Sequence, residues 1–207
     1  MNSVTMCSVA GRSVTGRSIL SVLAVIAVSL PSSAYAHVGA AETSGFLYGL
    51  SHPFGGLDHI CAMLAVGLWA AQTGGRSLWV VPLTFVGVMA LGGLLPVLGI
   101  SLPWIEQGIV LSVLLLGVLI AASIRLPLWL SSSMVSLFAL WHGHAHGAEM
   151  PVAVSGLAYA AGFVLATISL HATGMAIGVG MQRRVHERLV RAAGAGIALC
   201  GVYLAVV

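Results

Sequence analysis

Two stretches of the chain concentrate histidine where little else is polar. Residues 51–63 hold His52, Asp58 and His59, and Asp58 is the only aspartate in the sequence. His52 and His59 are seven positions apart, two helical turns, so an unbroken helix would set both on one face with Met63 a turn further on. Pro53 and the pair Gly55-Gly56 fall between them and can interrupt the helix, freeing backbone carbonyls. Residues 140–151 hold His142, His144 and His146, followed by Glu149. His142 and His146 share a helical face, and His144 points elsewhere. A third stretch contributes Thr167, Ser169 and His171. Neutral imidazole is a ligand for zinc, copper, iron and nickel, whereas magnesium and calcium prefer oxygen. A carboxylate beside several imidazoles is therefore chemistry for a borderline divalent cation. The competing reading is a set of hydrogen-bonded core histidines with a structural aspartate. For Thr167 and Ser169 it is a hydroxyl bonded back to the preceding turn.

The setting of these residues is apolar. The 207 residues are 59% hydrophobic and 6% charged, with a mean hydropathy of +1.06. A soluble domain carries about 25% charged residues, so eight arginines, four glutamates and one aspartate cannot cover a water-facing surface. Soluble enzyme, nucleic-acid binder and disordered chain are excluded, and an integral membrane protein remains. Cys7, Cys61 and Cys200 fit no paired metal-binding spacing and no even-numbered disulfide framework.

The expected fold is all-α. Residues 1–36 read as a signal peptide, with Arg12 and Arg17 before an apolar run, then Pro31 and an Ala34-Tyr35-Ala36 cleavage site. Removal would leave residues 37–207, a compact bundle of six transmembrane helices starting at His37. The spans fall at about 44–72, 78–99, 104–124, 127–146, 151–180 and 186–206, each near the ~20 residues that cross a bilayer. Small-residue pairs four apart, Gly162/Ala166 and Gly174/Gly178, favour close helix contacts in lipid. With His37 outside, Arg76, Arg125, Arg183, Arg184, Arg188 and Arg191 all fall on the inner side, and Glu42, Glu106 and Glu149 on the outer. This is the positive-inside asymmetry, and it explains these arginines without a catalytic role. His186, beside Arg184 and Arg188, reads as interfacial. On straight helices rising ~1.5 Å per residue, His142 would lie about 8 Å deep, His52 about 11 Å, Asp58 and His59 about 20 Å and His171 about 30 Å. That ladder reads as a path rather than one site.

The segments HPFGGLDHICAMLAVGLWAA, FALWHGHAHGAEMP and GFVLATISLHATG, in this order on the first, fourth and fifth spans, resemble the HupE/UreJ family of nickel/cobalt permeases. The resemblance covers essentially all of residues 37–207. It implies a six-helix inner-membrane importer with its mature N-terminus in the periplasm, delivering Ni2+ or Co2+ for hydrogenase or urease maturation or for cobalamin synthesis. By the family motifs the metal-binding residues are His52, Asp58, His59, His142, His146, Glu149 and His171, while His144 stands at a position expected to vary.

Three function classes follow. A secondary transporter of Ni2+ is favoured, with Co2+ as the alternative, because ligands lie at several depths and the chain has no phosphate-binding GxxxxGK[ST] loop. An intramembrane metalloenzyme is second: histidine and aspartate can activate metal-bound water, but there is no HExxH and no GxSxG. A metal sensor or scaffold is third. The expected partners are the metal substrate and the lipid bilayer, with no nucleic acid and no permanently bound cofactor. The sequence leaves open a homo-oligomer, the energy source and the choice between nickel and cobalt.

Overall fold

The computed structural model describes residues 45–151, 154–184 and 187–207. The expected signal segment 1–36, His37, Glu42 and His186 lie outside them. Among the described residues the regular elements are all helical: α1 (Gly45–Ser51), a 3-10 turn (His52–Phe54), α2 (Leu57–Thr73), α3 (Ser77–Val97), α4 (Ile105–Ala121), α5 (Leu128–Ala148), α6 (Gly156–Arg184) and α7 (Glu187–Val206).

The expected first span of about 44–72 is not one helix. It breaks at residues 52–56, and its two halves meet at 81°. Pro53 has no N–H to continue the α-helical ladder and crowds the carbonyl four residues back, so α1 tightens into the 3-10 turn closed by Gly55 N–H to the His52 carbonyl at 2.9 Å. Gly56 then takes an extended conformation, φ −115° and ψ 128°, and α2 starts in a new direction.

Among the described residues three helices are long and apolar enough to cross a membrane: α3, α6 over Gly156–Met181, and α7; the bent pair α1–α2 makes a fourth if taken as one span. Helix α4 has 17 residues, and α5 has 21 but carries four serines and three histidines. The outer surface is apolar, with Leu83, Leu91, Leu94, Leu157 and Leu199 all exposed. Water would penalise such a coat, and lipid tails would not. Exposed Trp79, Trp104 and Trp129 sit at the N-terminal ends of α3, α4 and α5, where an aromatic belt is expected.

The helices pair through glycine. A Cβ on Gly67 of α2 would collide with the His171 carbonyl of α6, one on Gly174 of α6 with the Leu64 carbonyl, and one on Gly162 with the Phe46 carbonyl of α1. Thus α6 runs against both halves of the broken span, parallel to α2. Gly143 and Gly147 of α5 meet Met89 and Gly93 of α3 in the same parallel sense. Gly117 of α4 meets Ala198 of α7, and Gly194 and Gly201 of α7 meet Ala121 and Leu114, an antiparallel pair. Between the pairs, Met63, Trp69, Phe85, Met89 and Phe138 fill the core.

One end of the bundle closes by side chains that satisfy carbonyls at and just beyond the C-terminal end of α4. Trp69 Nε1 donates to the Ile124 carbonyl at 2.9 Å, Gln72 Nε2 to that of Ile120 at 3.1 Å, and Arg191 Nε to that of Ala121 at 2.8 Å. Arg125 and Glu187 border a cavity of about 150 Å³ at this end.

The glycine contacts give a test. Gly67→Ala forces α2 and α6 apart, and overpacking of this kind costs ~1–3 kcal/mol. It should lower the melting temperature in detergent. Gly87→Ala in α3 meets nothing within 4 Å and gains up to ~1 kcal/mol of helix propensity, so it should hold or raise that temperature. Equal effects of the two substitutions would contradict the packing.

Candidate metal site

The break in the first span is what presents Asp58. It lies in the first turn of α2, where backbone N–H groups without helical partners favour a negative charge by ~0.3–1 kcal/mol. Its Oδ1 stands 3.0 Å from His59 Nδ1. A carboxylate can only accept, so Nδ1 carries the proton and Nε2 keeps its lone pair. Gly56 makes room for this pair, since a Cβ there would collide with the Asp58 carboxylate.

His142 is fixed in the same way from α5. Its Nδ1 donates to the Phe138 carbonyl one turn back at 2.9 Å, which again leaves Nε2 bare. The Nε2 atoms of His59 and His142 are both buried without a hydrogen-bond partner. The two rings stand 5.1 Å apart between centroids, and His146 closes on His59 at 3.9 Å. Neither nitrogen of His146 makes a hydrogen bond. Buried imidazole nitrogens with no partner are costly unless something binds them, and two tautomers held with their lone pairs free are what metal ligation requires.

His52 and Glu149 complete the group from the outside. His52 Nε2 donates to Glu149 Oε2 at 2.9 Å, and His146 Nδ1 lies 3.7 Å from the same oxygen. Ligand atoms of His52, His146 and Glu149 all fall within 4.8 Å of one another. Side-chain exposure falls from 57% at Glu149 to 22% at His52 and 5% at His146, so the group leads from the surface inward. Tyr48, Tyr159 and Phe163 pack around the His52 and His146 rings.

The expected ladder of depths is overturned for the first two motifs. With α1 and α2 at 81°, seven residues of sequence no longer translate into axial rise, and His52, His59, His142 and His146 form one cluster. His171 stands apart from it. Both of its nitrogens are buried and unpartnered, and the Phe85 ring lies between, 5.2 Å from His171 and 5.6 Å from His142. No sequence signal singles out Phe85, one aromatic residue in an apolar helix. Thr167 and Ser169 spend their hydroxyls on the carbonyls of Phe163 and Leu165. The apolar cavity of about 290 Å³ between α3, α5 and α6 borders this site at His146, Tyr159 and Phe163.

His144 points away. Its Nε2 lies 3.2 Å from the Leu102 N–H and 3.1 Å from the Ile100 carbonyl, so it fastens the α3–α4 connection to α5. This separates two histidines two residues apart. Titrating purified protein with Ni2+ by calorimetry, His142→Gln should weaken binding by about tenfold or more, while His144→Gln stays within about threefold. Equal losses would contradict the assignment.

The comparisons with known proteins agree with one another. The family model described as HupE / UreJ protein matches residues 23–204. Protein HupE of Rhizobium leguminosarum bv. viciae is 45% identical over 180 residues, which is 87% of this chain and 94% of that protein. No solved structure matches the chain. With most of its length matched by the family model and by so similar a relative, the chain belongs to the HupE/UreJ family.

Proposed function

We propose that this protein is a secondary permease that imports a divalent transition metal, Ni2+ in the first place, across the bacterial inner membrane for hydrogenase or urease maturation. The observation that carries the proposal is the pair of buried, unpartnered Nε2 atoms on His59 and His142, held there by Asp58 and the Phe138 carbonyl. Membership in a family associated with nickel and cobalt supports the same reading. A catalyst would hold its metal; a carrier needs ligands along a route, and exposed Glu149, half-shielded His52, buried His59 and His142, and then His171 behind Phe85 supply one.

The six-span arrangement is part of this proposal. In a chain that crosses the membrane six times, alternate spans run in the same direction. The first and fifth spans would then be parallel, the second and fourth parallel, and the third and sixth antiparallel, and the glycine contacts of α2 with α6, α3 with α5 and α4 with α7 run in these senses. Arg125 and Arg191 gather at the end opposite Glu149, which fits an inner face at the first and a periplasmic face at the second.

Each residue has a role in this account. Glu149 and His52 collect the cation and replace part of its water. His146 hands it to His59 and His142. Asp58 offsets the charge inside the apolar bundle and keeps His59 in the ligating tautomer. Imidazole suits Ni2+ and Co2+, whereas Mg2+ prefers oxygen and loses water reluctantly.

Uptake of radiolabelled nickel into proteoliposomes tests this. Asp58→Asn keeps the shape, removes the charge and turns the His59 partner into an amide; uptake should fall by about tenfold or more at normal insertion. Because the histidines form one cluster, His146→Ala should lose maximal rate to a similar extent rather than merely shifting the half-saturating concentration. Near-normal transport by Asp58→Asn would sink the assignment. In wild-type vesicles Co2+ should compete with Ni2+, and a modest excess of Mg2+ should not. Suppression by Mg2+ would point to an oxygen site instead.

A further inference from the structure

Cys61 and Cys200 are 139 positions apart in the sequence, yet their Sγ atoms lie 3.4 Å from each other. Cys61 is in α2, one turn beyond Asp58 and two residues after His59, and Cys200 is in the last third of α7. Both are free thiols, partly buried against the edge of the core. The separation is about van der Waals contact for two sulfurs, so a disulfide of ~2.05 Å would need them to close by little more than an ångström. Neither thiol is fully buried, so exchange with a disulfide reagent that reaches one of them places the other in position to complete the bond.

The helices around the pair give such a bond a consequence. Helix α7 is seated on α4, with Gly194 and Gly201 against Ala121 and Leu114. Helix α2 is seated on α6 through Gly67 and Gly174. The cysteines therefore join the α2–α6 pair to the α4–α7 pair near the middle of the bundle, away from the Trp69 and Gln72 hydrogen bonds at its end, and they do so one turn from the carboxylate that orients His59.

We infer that Cys61 and Cys200 form a reversible intramolecular disulfide that locks α7 to the helix carrying Asp58 and His59. The reaction is thiol–disulfide exchange with a disulfide oxidant. One cysteine thiolate attacks the oxidant, forming a mixed disulfide and releasing one thiol. The second cysteine then attacks the mixed disulfide and releases the other thiol. In sum the protein pair loses two protons and two electrons, and the oxidant R–S–S–R becomes two R–SH. The bond itself is independent of the proposed transport, whereas its effect on nickel passage rests on that reading.

The test uses the full chain carrying Cys7→Ser, reconstituted in liposomes and treated with 4,4′-dithiodipyridine, a membrane-permeant disulfide. After excess oxidant is removed, intact mass should show the loss of two hydrogens and no pyridyl adduct, and a maleimide polymer should label neither cysteine. Dithiothreitol should restore both labels. Mixed pyridyl adducts on both cysteines, or two thiols still open to the maleimide, would overturn the disulfide. Nickel uptake should fall on oxidation, recover with dithiothreitol, and stay unchanged by either reagent in the Cys61→Ser and Cys200→Ser variants. A bond that forms and leaves uptake untouched overturns the lock. If the reduced protein carries no nickel, the transport reading fails, while mass and labelling still decide the disulfide.

Discussion

A carboxylate inside an apolar bundle is the constraint to which much of this structure answers. Placing a charged side chain at the centre of a membrane span costs about 2.5–3.5 kcal/mol on insertion scales, and Asp58 would meet that cost in a continuous first helix. The break at Pro53–Gly56 changes its surroundings. It gives Asp58 the N-terminal turn of a new helix, with free N–H groups and the favourable end of the helix dipole, and an imidazole N–H as a hydrogen-bond partner. The same break turns α1 so that His52 swings over the His146 ring, with centroids 5.0 Å apart. One local device thus accommodates the charge and assembles the histidine cluster.

A broken helix needs support on both sides of the break. In water the hydrophobic effect could supply it; between lipid-facing helices close backbone approach has to. Helix α6 runs 29 residues and touches α1 through Gly162 and α2 through Gly174 and Gly178. Gly49 and Gly67 answer from the other side. The two halves are therefore held by a single unbroken neighbour, and their angle is set by where its glycines fall. The same helix carries His171, so the spacing between the cluster and the deeper histidine follows from this packing.

The helical character and the meeting of imidazoles with a carboxylate were legible in the sequence because both depend on local pattern. Apolar runs with few charges fix the element type, and imidazole beside carboxylate is the chemistry on which the proposed metal site rests. The Pro53–Gly56 break was visible as a possibility, but its angle was not, since that angle is decided by contacts with α6 more than a hundred residues away. This is why counting along straight helices separates His52 from His59 by depth when the structure brings both onto His146. The different fates of His142 and His144 were half legible: spacing puts them on different faces, but only the fold supplies the Ile100–Leu102 connection that occupies His144. Phe85 and the Cys61–Cys200 pair left no trace, because a single apolar or thiol side chain acquires meaning only from its neighbour in space.

The central claim is that the histidine cluster, and not water, thiolate or backbone oxygen, ligates the transported metal. Nickel K-edge X-ray absorption on the purified, metal-loaded protein tests it most directly. The account predicts several nitrogen ligands with the outer-shell scattering of imidazole rings, no sulfur shell, and loss of the imidazole signal in a His59→Ala/His142→Ala double variant. A spectrum of an all-oxygen shell, or one with nickel–sulfur scattering from Cys61 and Cys200, would contradict it.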